Sequence, residues 1–473
     1  MRVLVIGGGI SGLAAAHRLL AGGASVTLLE ASERFGGKLL PGELAGAAVD
    51  LGAESMLARR PEAVELARAV GLSGALEPPT TARAAIWTRD ALRPMPTGHV
   101  MGVPGDPEAV ADVVSPEGLA RIAEDATLPR TPVGEDVAIG AYVAARLGPE
   151  VVDRLVEPLL GGVYAGDAHR ISMRAAVPQL YEAARAEPSL LAAVRRLRER
   201  GAQGGAPAGP VFTGIAGGVG RLPGAVAEAC RAAGAVLRTG TAVRALHRTP
   251  AAAPVEPAPR WRAELEDGGT LTADGVVLAV PAPAAARLLA AEAPAAAAEL
   301  DTVEYASMAL ITLAFRRADL ATVPGGSGFL VPPSEGRAIK AATFSANKWA
   351  WTAAQNPELF LLRTSVGRYG EEERLDHDDA DLVAASRADL SDAAGLTARP
   401  VASVVTRWRG GLPQYPVGHL ERVARIRRDL AALPGLAVCG AAYDGVGIPA
   451  CIAGARRAAE ETLLTGAAAG ARE

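Results

Sequence analysis

Cysteine is one of the scarcest residues in this chain, and its scarcity limits the kinds of site the protein can build. Cys230, Cys439 and Cys451 are the three in 473 residues, an odd number at wide spacing. They provide neither a disulfide framework nor the paired cysteines of a zinc site, so we expect a reducing compartment and no metal. The six histidines show no ligand spacing, and His419 is more typical of a structural histidine that fixes a loop than of a catalytic one.

Aromatic residues and basic clusters are also few. Aromatics make up 4% of the chain although hydrophobic residues make up 49%, so small aliphatic side chains must fill the core. The net charge is −4, and no basic block is interleaved with aromatics. These two features argue against a nucleic-acid-binding protein.

The chain lacks a long apolar run. A bilayer span needs roughly 20 apolar residues, and the nearest candidate, residues 276–298, is interrupted by three prolines, an arginine and a glutamate. The first predicted strand begins at Arg2, which leaves no room for a cleaved leader. We therefore expect a cytoplasmic protein with no integral membrane segment.

A glycine-rich turn follows that first strand. Residues 2–6 are a short apolar run, Gly7-Gly8-Gly9-Ile10-Ser11-Gly12 comes next, and Leu13 to Ala21 is typical of a helix. In such a unit the first glycine permits a tight turn, the second admits a pyrophosphate, and the third allows close helix–strand packing. The helix N-terminus offers free N–H groups and a partial positive charge to phosphates.

A second strand and an acidic residue complete the unit. The strand Ser25 to Leu29 ends at Glu30, 18 residues after Gly12 (30 − 12), where a carboxylate can accept hydrogen bonds from a ribose hydroxyl. Strand, glycine turn, helix, strand and terminal acid together predict a Rossmann-type dinucleotide-binding domain.

The next residues indicate which dinucleotide. Glu30-Ala31-Ser32-Glu33-Arg34-Phe35-Gly36-Gly37-Lys38 resembles the acid-then-Gly-Gly signature of the FAD-dependent amine-oxidase-like superfamily, and residues 50–55 resemble its next flavin-contacting turn. The resemblance implies FAD, with the acid on the adenosine ribose and Lys38 along the cofactor. Lys38 stands where the superfamily commonly has arginine, so bidentate contact is lost. We expect non-covalent FAD, because 404–435 lacks the cysteine of flavinylated members.

Further segments resemble one family within that superfamily, the oxygen-dependent porphyrinogen oxidases of haem biosynthesis, and most closely its Gram-positive coproporphyrinogen III oxidase branch. These segments are 52–55, 157–167, 340–344 with Lys348-Trp349, 411–415 with 418–420, and 440–451. The resemblance implies FAD-dependent oxidation of coproporphyrinogen III to coproporphyrin III, with three O2 reduced to three H2O2. The implied partners are the porphyrinogen and O2, and no oligomeric state is indicated.

The same resemblance assigns cofactor contacts by matching position. They are Gly7, Gly8, Gly9, Ile10, Ser11, Gly12, Glu30, Ala31, Gly37, Lys38, Gly52, Ala53, Glu54, Ser55, Val243, Trp408, Gly440, Val446, Gly447 and Ile448. The last residues lead into a helix predicted from Ala450 to Leu464. We expect this second helix N-terminus to face the flavin, because its N–H groups could hold the electron-rich end of the reduced ring.

No catalytic side chain is predicted, because a porphyrinogen is intrinsically easy to oxidise and the cofactor carries the chemistry. The substrate is an anion, so basic side chains are expected to bind its propionates. Taken alone, each candidate is more typical of a solvated surface residue. The candidates are Arg59, Arg60, Arg93, Lys340, Lys348, Arg407 and Arg409.

The expected fold class is α/β, with a discontinuous Rossmann-type FAD-binding domain, an α+β substrate domain and an inserted helical region. The first would comprise 1–57, 211–297 and 434–473, the second 58–106 and 298–433, and the third 107–210. Two flexible connectors are expected at 201–210 and 249–260. Four alternatives stay open: a protoporphyrinogen IX oxidase, a flavin amine oxidase, a carotenoid-type desaturase, and a non-enzymatic escort protein on the same fold.

Overall fold

The computed structural model describes residues 1–203, 209–249 and 260–470. Residues 204–208 of the first predicted connector and 250–259 of the second lie outside the described residues, and residues 201–203 belong to a helix instead of a flexible connector. None of the helices within these ranges combines the length and apolarity that a bilayer crossing requires. Nor do the same ranges bring three or more His, Cys, Asp or Glu side chains together as a metal site would.

A five-stranded parallel sheet contains the amino-terminal strand. Its strands, in order, are Val236–Arg238, Ser25–Leu29, Arg2–Ile6, Gly275–Leu278 and Leu436–Val438. Successive side chains of a strand point to opposite faces. Accordingly, Val3 and Val5 lie in one hydrophobic core and Leu4 and Ile6 in another. Both faces are covered, which explains the near-continuous apolar sequence of these strands.

Different elements cover the two faces. The first core is completed by the helices Ile10–Ala21, Pro61–Ala69, Arg221–Ala232 and Ile448–Gly470. The second is completed by the helices Ala282–Leu289, Pro294–Asp301 and His419–Leu430 and by an antiparallel layer of Val243–Arg248, Trp261–Leu265 and Thr270–Ala273.

A seven-stranded sheet forms the second layered unit. Its order is Ala402–Pro413, Tyr305–Arg316, Leu359–Val366, Ile339–Thr343, Gly328–Leu330, Ala84–Thr88 and Ala91–Pro94. All pairs are antiparallel except Gly328–Leu330 with Ala84–Thr88. The helix Asp379–Ala394 packs on the core along one face.

The region between these units is mainly helical. Its helices are Pro116–Ala123, Ile139–Leu147, Pro149–Val151, a π-helical turn Val152–Val156, Glu157–Tyr164, Met173–Ala176, Pro178–Ala186 and Leu190–Gln203. The sequence predicts a helix break at Gly161-Gly162, and this is wrong: the helix continues to Tyr164. Its residues Leu160 and Tyr164 are buried in the local core, and that packing overrides the low helix propensity of glycine.

Short elements join the larger ones. They are the strands Pro41–Leu44, Ala47–Asp50, Met56–Leu57, Leu76–Glu77, His99–Val100, Val103–Pro104 and Phe212–Ile215, the helices Ser345–Lys348, Ala350–Gln355 and Ala441–Asp444, and the 3₁₀ turns Ser73–Ala75, Glu108–Val110, Glu124–Ala126, Arg317–Asp319, Pro333–Glu335 and Glu372–Asp376. Met56–Leu57 pairs with Phe212–Ile215, which places residues 50–57 beside the segment that leads into the helix at Arg221.

Candidate cofactor site between two helix starts

In the glycine turn after the first strand, two positions require glycine for steric or conformational reasons, and a third lies beside empty space. A methyl group on Gly12 would lie 1.8 Å from the Gly7 carbonyl oxygen, so the helix can pack this closely only with glycine there. Gly7 has a φ of +106°, which side chains rarely adopt. A methyl group on Gly9, in contrast, would meet no atom of the described chain within 4 Å. Bare backbone beside open space is what a bound pyrophosphate requires.

The acidic segment folds back over this turn. Glu30 accepts hydrogen bonds from the backbone N–H of Gly8 at 2.7 Å and from that of Ser32 at 2.8 Å. The Gly36 N–H donates to the Gly8 carbonyl at 2.8 Å, and Gly37 follows with a φ of +56°. The predicted ribose acid and the predicted glycine pair are therefore adjacent in space to the glycine turn.

Val243 reaches the same neighbourhood through its own strand. The Thr241 N–H donates to the Glu30 carbonyl at 2.8 Å, and Val243 begins the strand two residues later with a buried side chain. Ala31 lies next to Glu30 and is exposed. The structure thus brings the predicted adenosine-side residues together.

The second helix start lies against the first. The helices Ile10–Ala21 and Ile448–Gly470 pack side by side and run in the same direction: Arg18 pairs with Glu460 at 3.0 Å, and a methyl group on Gly22 would meet Leu463 at 2.4 Å. Burial raises the pKa of the Cys451 thiol in the first turn of the second helix. Ile448 and Cys451 share a core with Ile10. The C-terminal helix begins at Ile448, two residues before the predicted Ala450, and the first helix begins at Ile10, before the predicted Leu13. Two N-termini from opposite ends of the chain therefore meet.

Asp444 holds the loop that leads into the second helix. Its carboxylate accepts hydrogen bonds from Arg427 at 2.6 Å and from Arg457 at 2.5 Å. Gly440 and Gly445 have φ values of +130° and +136°, which favour glycine. Val446 packs against the core of the helical region. Asp444 therefore positions this loop through arginines rather than presenting a free carboxylate.

The turn at residues 50–55 rests on Lys38. A methyl group on Gly52 would lie 2.0 Å from the Lys38 carbonyl oxygen, and the Ala53 N–H donates to that oxygen at 3.2 Å. Trp408 donates its indole N–H to the Leu51 carbonyl at 3.1 Å. The strand that carries Trp408 is thereby fixed to this turn.

Asp50 connects the turn to the rest of the parallel-sheet unit. It accepts hydrogen bonds from the Val219 and Gly220 N–H groups at 2.9 and 2.8 Å, immediately before the helix Arg221–Ala232. Burial raises the pKa of the Asp50 carboxyl to about 6.

Glu54 is the centre of an ionic network that sequence reasoning missed. Its carboxylate lies 3.0 Å from Lys348 Nζ and 3.1 Å from Arg363 Nε, and Ser345 donates to it at 3.0 Å. Burial alone would raise the pKa of Glu54, but Arg363 and Lys348 lower it to about 2. In the sequence, the opposite charges of these residues are the one feature that points to this network. Ser55 follows and is partly buried.

The basic residues predicted to bind substrate differ in their surroundings. Most of them already have partners: Lys348 bonds Glu54, Arg60 bonds Glu62, Arg93 donates to the Thr88 carbonyl, Arg407 pairs with Asp379, and Arg409 pairs with Asp376. Arg59 is exposed. Lys340 is buried, and burial together with the charge of Arg368 lowers its pKa to about 7.

His419 is packed as a structural residue would be. Its ring stacks on Tyr415 with centroids 3.9 Å apart, and Tyr415 in turn bonds the Ala441 carbonyl. Burial lowers the pKa of His419 to about 4, so the ring is neutral near pH 7. It stabilises the approach to the second helix start.

The donors around the glycine turn fit a flavin dinucleotide. Open space at Gly9 suits the pyrophosphate, Glu30 lies where a ribose is expected, and two helix N-termini offer N–H groups to electron-rich atoms. The partly buried Lys38 adds a positive charge at the same place, although burial lowers its pKa.

Comparison with known proteins agrees with this geometry. Residues 10–463 match the family described as flavin containing amine oxidoreductase. The coproporphyrinogen III oxidase of Mycobacterium tuberculosis (strain ATCC 25618 / H37Rv) is 38% identical over 97% of this chain and 96% of its own length, and that of Bacillus subtilis (strain 168) is 33% identical over 98% and 97%. A crystal structure described as a putative protoporphyrinogen oxidase from Exiguobacterium sp. 255-15 superposes with a TM-score of 0.84, at 32% identity over 98% of each chain. The chain therefore belongs to the flavin containing amine oxidoreductase family, and FAD is its cofactor.

Proposed function

We propose that this chain oxidises coproporphyrinogen III to coproporphyrin III in haem biosynthesis, with O2 as the electron acceptor and three H2O2 formed for each porphyrin. The observation that carries the proposal is the side-by-side packing of the helices Ile10–Ala21 and Ile448–Gly470, which brings two helix starts together beside the glycine turn. The relatives from M. tuberculosis and B. subtilis, named for this reaction and aligned over nearly the full length, support it.

The reaction asks little of an acid or base. Removal of hydride from a methylene bridge leaves a cation that the adjacent pyrroles stabilise, and loss of a proton neutralises it. Three such steps and a final tautomerisation remove four C–H and two N–H hydrogens from the macrocycle. FAD supplies the hydride-accepting ring when it is bound. The residues of this chain position the methylene, exclude water and neutralise the substrate carboxylates. We therefore propose that no side chain is an essential base.

We propose that the residues assigned from the sequence contact the cofactor in three groups. The glycine turn and the first helix start hold the pyrophosphate, Glu30 and Val243 the adenosine, and the 50–55 turn, Trp408 and the second helix start the flavin ring. The close packing of Gly52 on Lys38 and the indole hydrogen bond to Leu51 support the placement of the last group.

The three-part domain division given above, non-covalent FAD and action in the cytoplasm are also proposals. The free and buried state of Cys230, Cys439 and Cys451 is consistent with a reducing compartment.

The experiment mixes the flavin-loaded protein, without O2, with coproporphyrinogen III prepared by chemical reduction of coproporphyrin III. Reduction of the bound flavin, followed by H2O2 release when O2 is admitted, is the expected result. A protein that binds FAD but whose flavin stays oxidised with this substrate would contradict the proposal. Reduction by simple amines instead would favour an amine oxidase.

Protoporphyrinogen IX is the second candidate substrate, favoured by the description of the Exiguobacterium structure. Coproporphyrinogen carries four propionates and protoporphyrinogen two, so the two substrates differ in the number of basic partners they need. The ratio of kcat/KM for the two porphyrinogens distinguishes them, and a clear preference for protoporphyrinogen would replace the first assignment.

A further inference from the structure

Lys340 lies at an irregularity of the seven-stranded sheet. Ile339 pairs with Val366 and Ala341 pairs with Ser365 on the neighbouring strand, so Lys340 is the extra residue of a β-bulge. A bulge re-aims a side chain relative to the regular alternation of a strand. Ile339 and Val366 both lie in the core on one face of the sheet, and Lys340 is turned to the other.

That other face is the one fixed to the cofactor site. The Lys340 ammonium lies 4.0 Å from the Met308 sulfur. Met308 is directly opposite Trp408 in the ladder, and residues paired in this way share a face. Trp408 donates to the Leu51 carbonyl at 3.1 Å, beside the 50–55 turn. Lys340 therefore belongs to the sheet face that points at the predicted flavin ring.

The ammonium is buried without an oxygen partner. Lys340 is 6% exposed, and the Met308 sulfur is the single hydrogen-bonding contact of its ammonium group within residues 1–203, 209–249 and 260–470. A buried ammonium without a hydrogen-bonded counter-charge destabilises a fold, so its presence suggests a ligand that supplies the charge.

The surrounding charges leave room for an anion. Arg368, also buried, donates to the Val331 carbonyl at 3.0 Å and lies 3.7 Å from Glu371. Glu371 lies 3.5 Å from a third cation, Arg374, and so is shared between two arginines. Glu157 faces Arg368 from the helical region, and burial raises the pKa of its carboxyl to about 7. Three basic side chains thus lie near two glutamates, and the pKa of one of them, Glu157, is raised to about 7.

We propose that the Lys340 ammonium binds a propionate of the porphyrinogen, with the Arg368 guanidinium beside it stabilising the same carboxylate. The inference rests on the proposed function and names one specificity-determining residue for it. Lys340 positions the macrocycle on the Trp408 face of the sheet and takes no part in hydride removal.

The test uses the flavin-loaded full-length protein and coproporphyrin III as the probe, since the product carries the same four carboxylates. Three variants are compared: Lys340→Met, Lys340→Arg, and Arg316→Met as a control that removes one charge from the exposed end of a strand in the same sheet. We expect Lys340→Met to weaken binding roughly 10- to 100-fold, the range for losing a hydrogen bond to a charged group. Lys340→Arg and Arg316→Met should stay within about threefold of wild type.

The pH dependence and thermal stability separate binding from a structural role. Wild-type affinity should fall as pH rises above about 7, because Lys340 loses its proton. Lys340→Arg should show a smaller fall, because arginine stays charged and only the ionisation of Glu157, whose pKa is also about 7, then opposes binding of the anion. Without porphyrin, Lys340→Met should melt at or above the wild-type temperature, because it removes an uncompensated buried charge.

Each outcome decides one point. If wild-type flavin is reduced by coproporphyrinogen but Lys340→Met binds coproporphyrin as tightly as wild type, the inference about Lys340 is wrong and the proposed function stands. A lowered melting temperature with unchanged pH dependence of binding would make Lys340 structural and also overturn the inference. If wild-type flavin is not reduced at all, the proposed function fails first.

Discussion

Arg18 of the amino-terminal helix pairs with Glu460 of the C-terminal helix at 3.0 Å, and the two helices pack side by side with their starts close together. This packing brings two positively polarised helix ends to one place, although they come from opposite ends of the chain. The arrangement gives a single site in which N–H groups can bind the pyrophosphate and the electron-rich part of a flavin.

Gly9 and Gly12 should respond differently to the same substitution. Gly9→Ala places a methyl group in open space at a φ of −69°, which alanine accepts, so the protein without cofactor should melt within about 2 °C of wild type. The methyl group enters the space proposed for the pyrophosphate, so FAD affinity should fall at least roughly tenfold. Titration of the cofactor-free protein with FAD, followed by flavin fluorescence, measures this.

Gly12→Ala provides the contrast, because its methyl group would collide with the Gly7 carbonyl. We expect a loss of stability of several kcal/mol, seen as a lower yield of folded protein. Unchanged FAD affinity in Gly9→Ala would show that the open space is not the cofactor's.

Glu54→Gln should destabilise the protein by about 3 kcal/mol, because it leaves two buried cations without their counter-charge. The ions lie at 3.0 and 3.1 Å from the carboxylate and all three are largely buried. Glu460→Gln is the matched control: its ion pair with Arg18 lies at the surface, with the two side chains 52% and 37% exposed, and should contribute less than about 1 kcal/mol. Urea unfolding compares the three proteins, and equal losses in the two variants would contradict a buried network.

We also expect the free energy of unfolding to decrease at acid pH because of the Glu54 carboxylate. The folded-state pKa of Glu54 is about 2 against an ordinary value of 4.5, so its contribution is complete above that value and is lost as pH falls toward 2. The wild-type minus Glu54→Gln difference should therefore shrink across this window when unfolding is measured at successive pH values. If the difference in unfolding free energy does not change with pH, the ion pairs do not lower the pKa of Glu54.

Arg146 should be equally sensitive, for a structural reason. It is fully buried, pairs with Asp125 at 2.6 Å and donates to the Pro129 and Pro188 carbonyls at 2.7 and 3.0 Å. Arg146→Met should destabilise the helical region by about 3–5 kcal/mol. Arg146→Lys should not restore it, because one ammonium cannot reach all these acceptors. Hydrogen exchange in the helix Ile139–Leu147 reports the effect, with the exposed Arg195→Met as control; full rescue by lysine would argue against it.

Much of the predicted dinucleotide-binding unit could be recognised from residues that are close together in sequence. The glycine turn, the strand to Leu29 and the acid after it lie within one short stretch, where period and turn residues are informative. Alternation over residues 84–95 with a turn at Arg89-Asp90 predicts two strands, and the structure pairs them there, with both turn residues at positive φ as a two-residue turn of this kind requires.

Other features depend on partners distant in sequence. Nothing local tells that Glu54 meets Lys348 and Arg363, because a pattern gives the face of an element and not what packs against it. The bulge at Lys340 is similar: regular alternation after Ile339 does not show that Lys340 and Ala341 share a face. The sequence pattern predicts a strand from Ala402 to Trp408, but the strand continues to Pro413 because its last residues also pair with Tyr305–Arg316, after a register shift.

The most direct measurement of the central claim is single-turnover reduction of the bound flavin by coproporphyrinogen III without O2, in wild type and in Gly9→Ala reconstituted with excess FAD. We expect rapid flavin reduction in the wild type, with coproporphyrin III formed. In Gly9→Ala, the amount of flavin reduced should be proportional to the FAD that the variant binds. Wild-type protein that carries FAD between its two helix starts and yet leaves coproporphyrinogen unoxidised would contradict this claim.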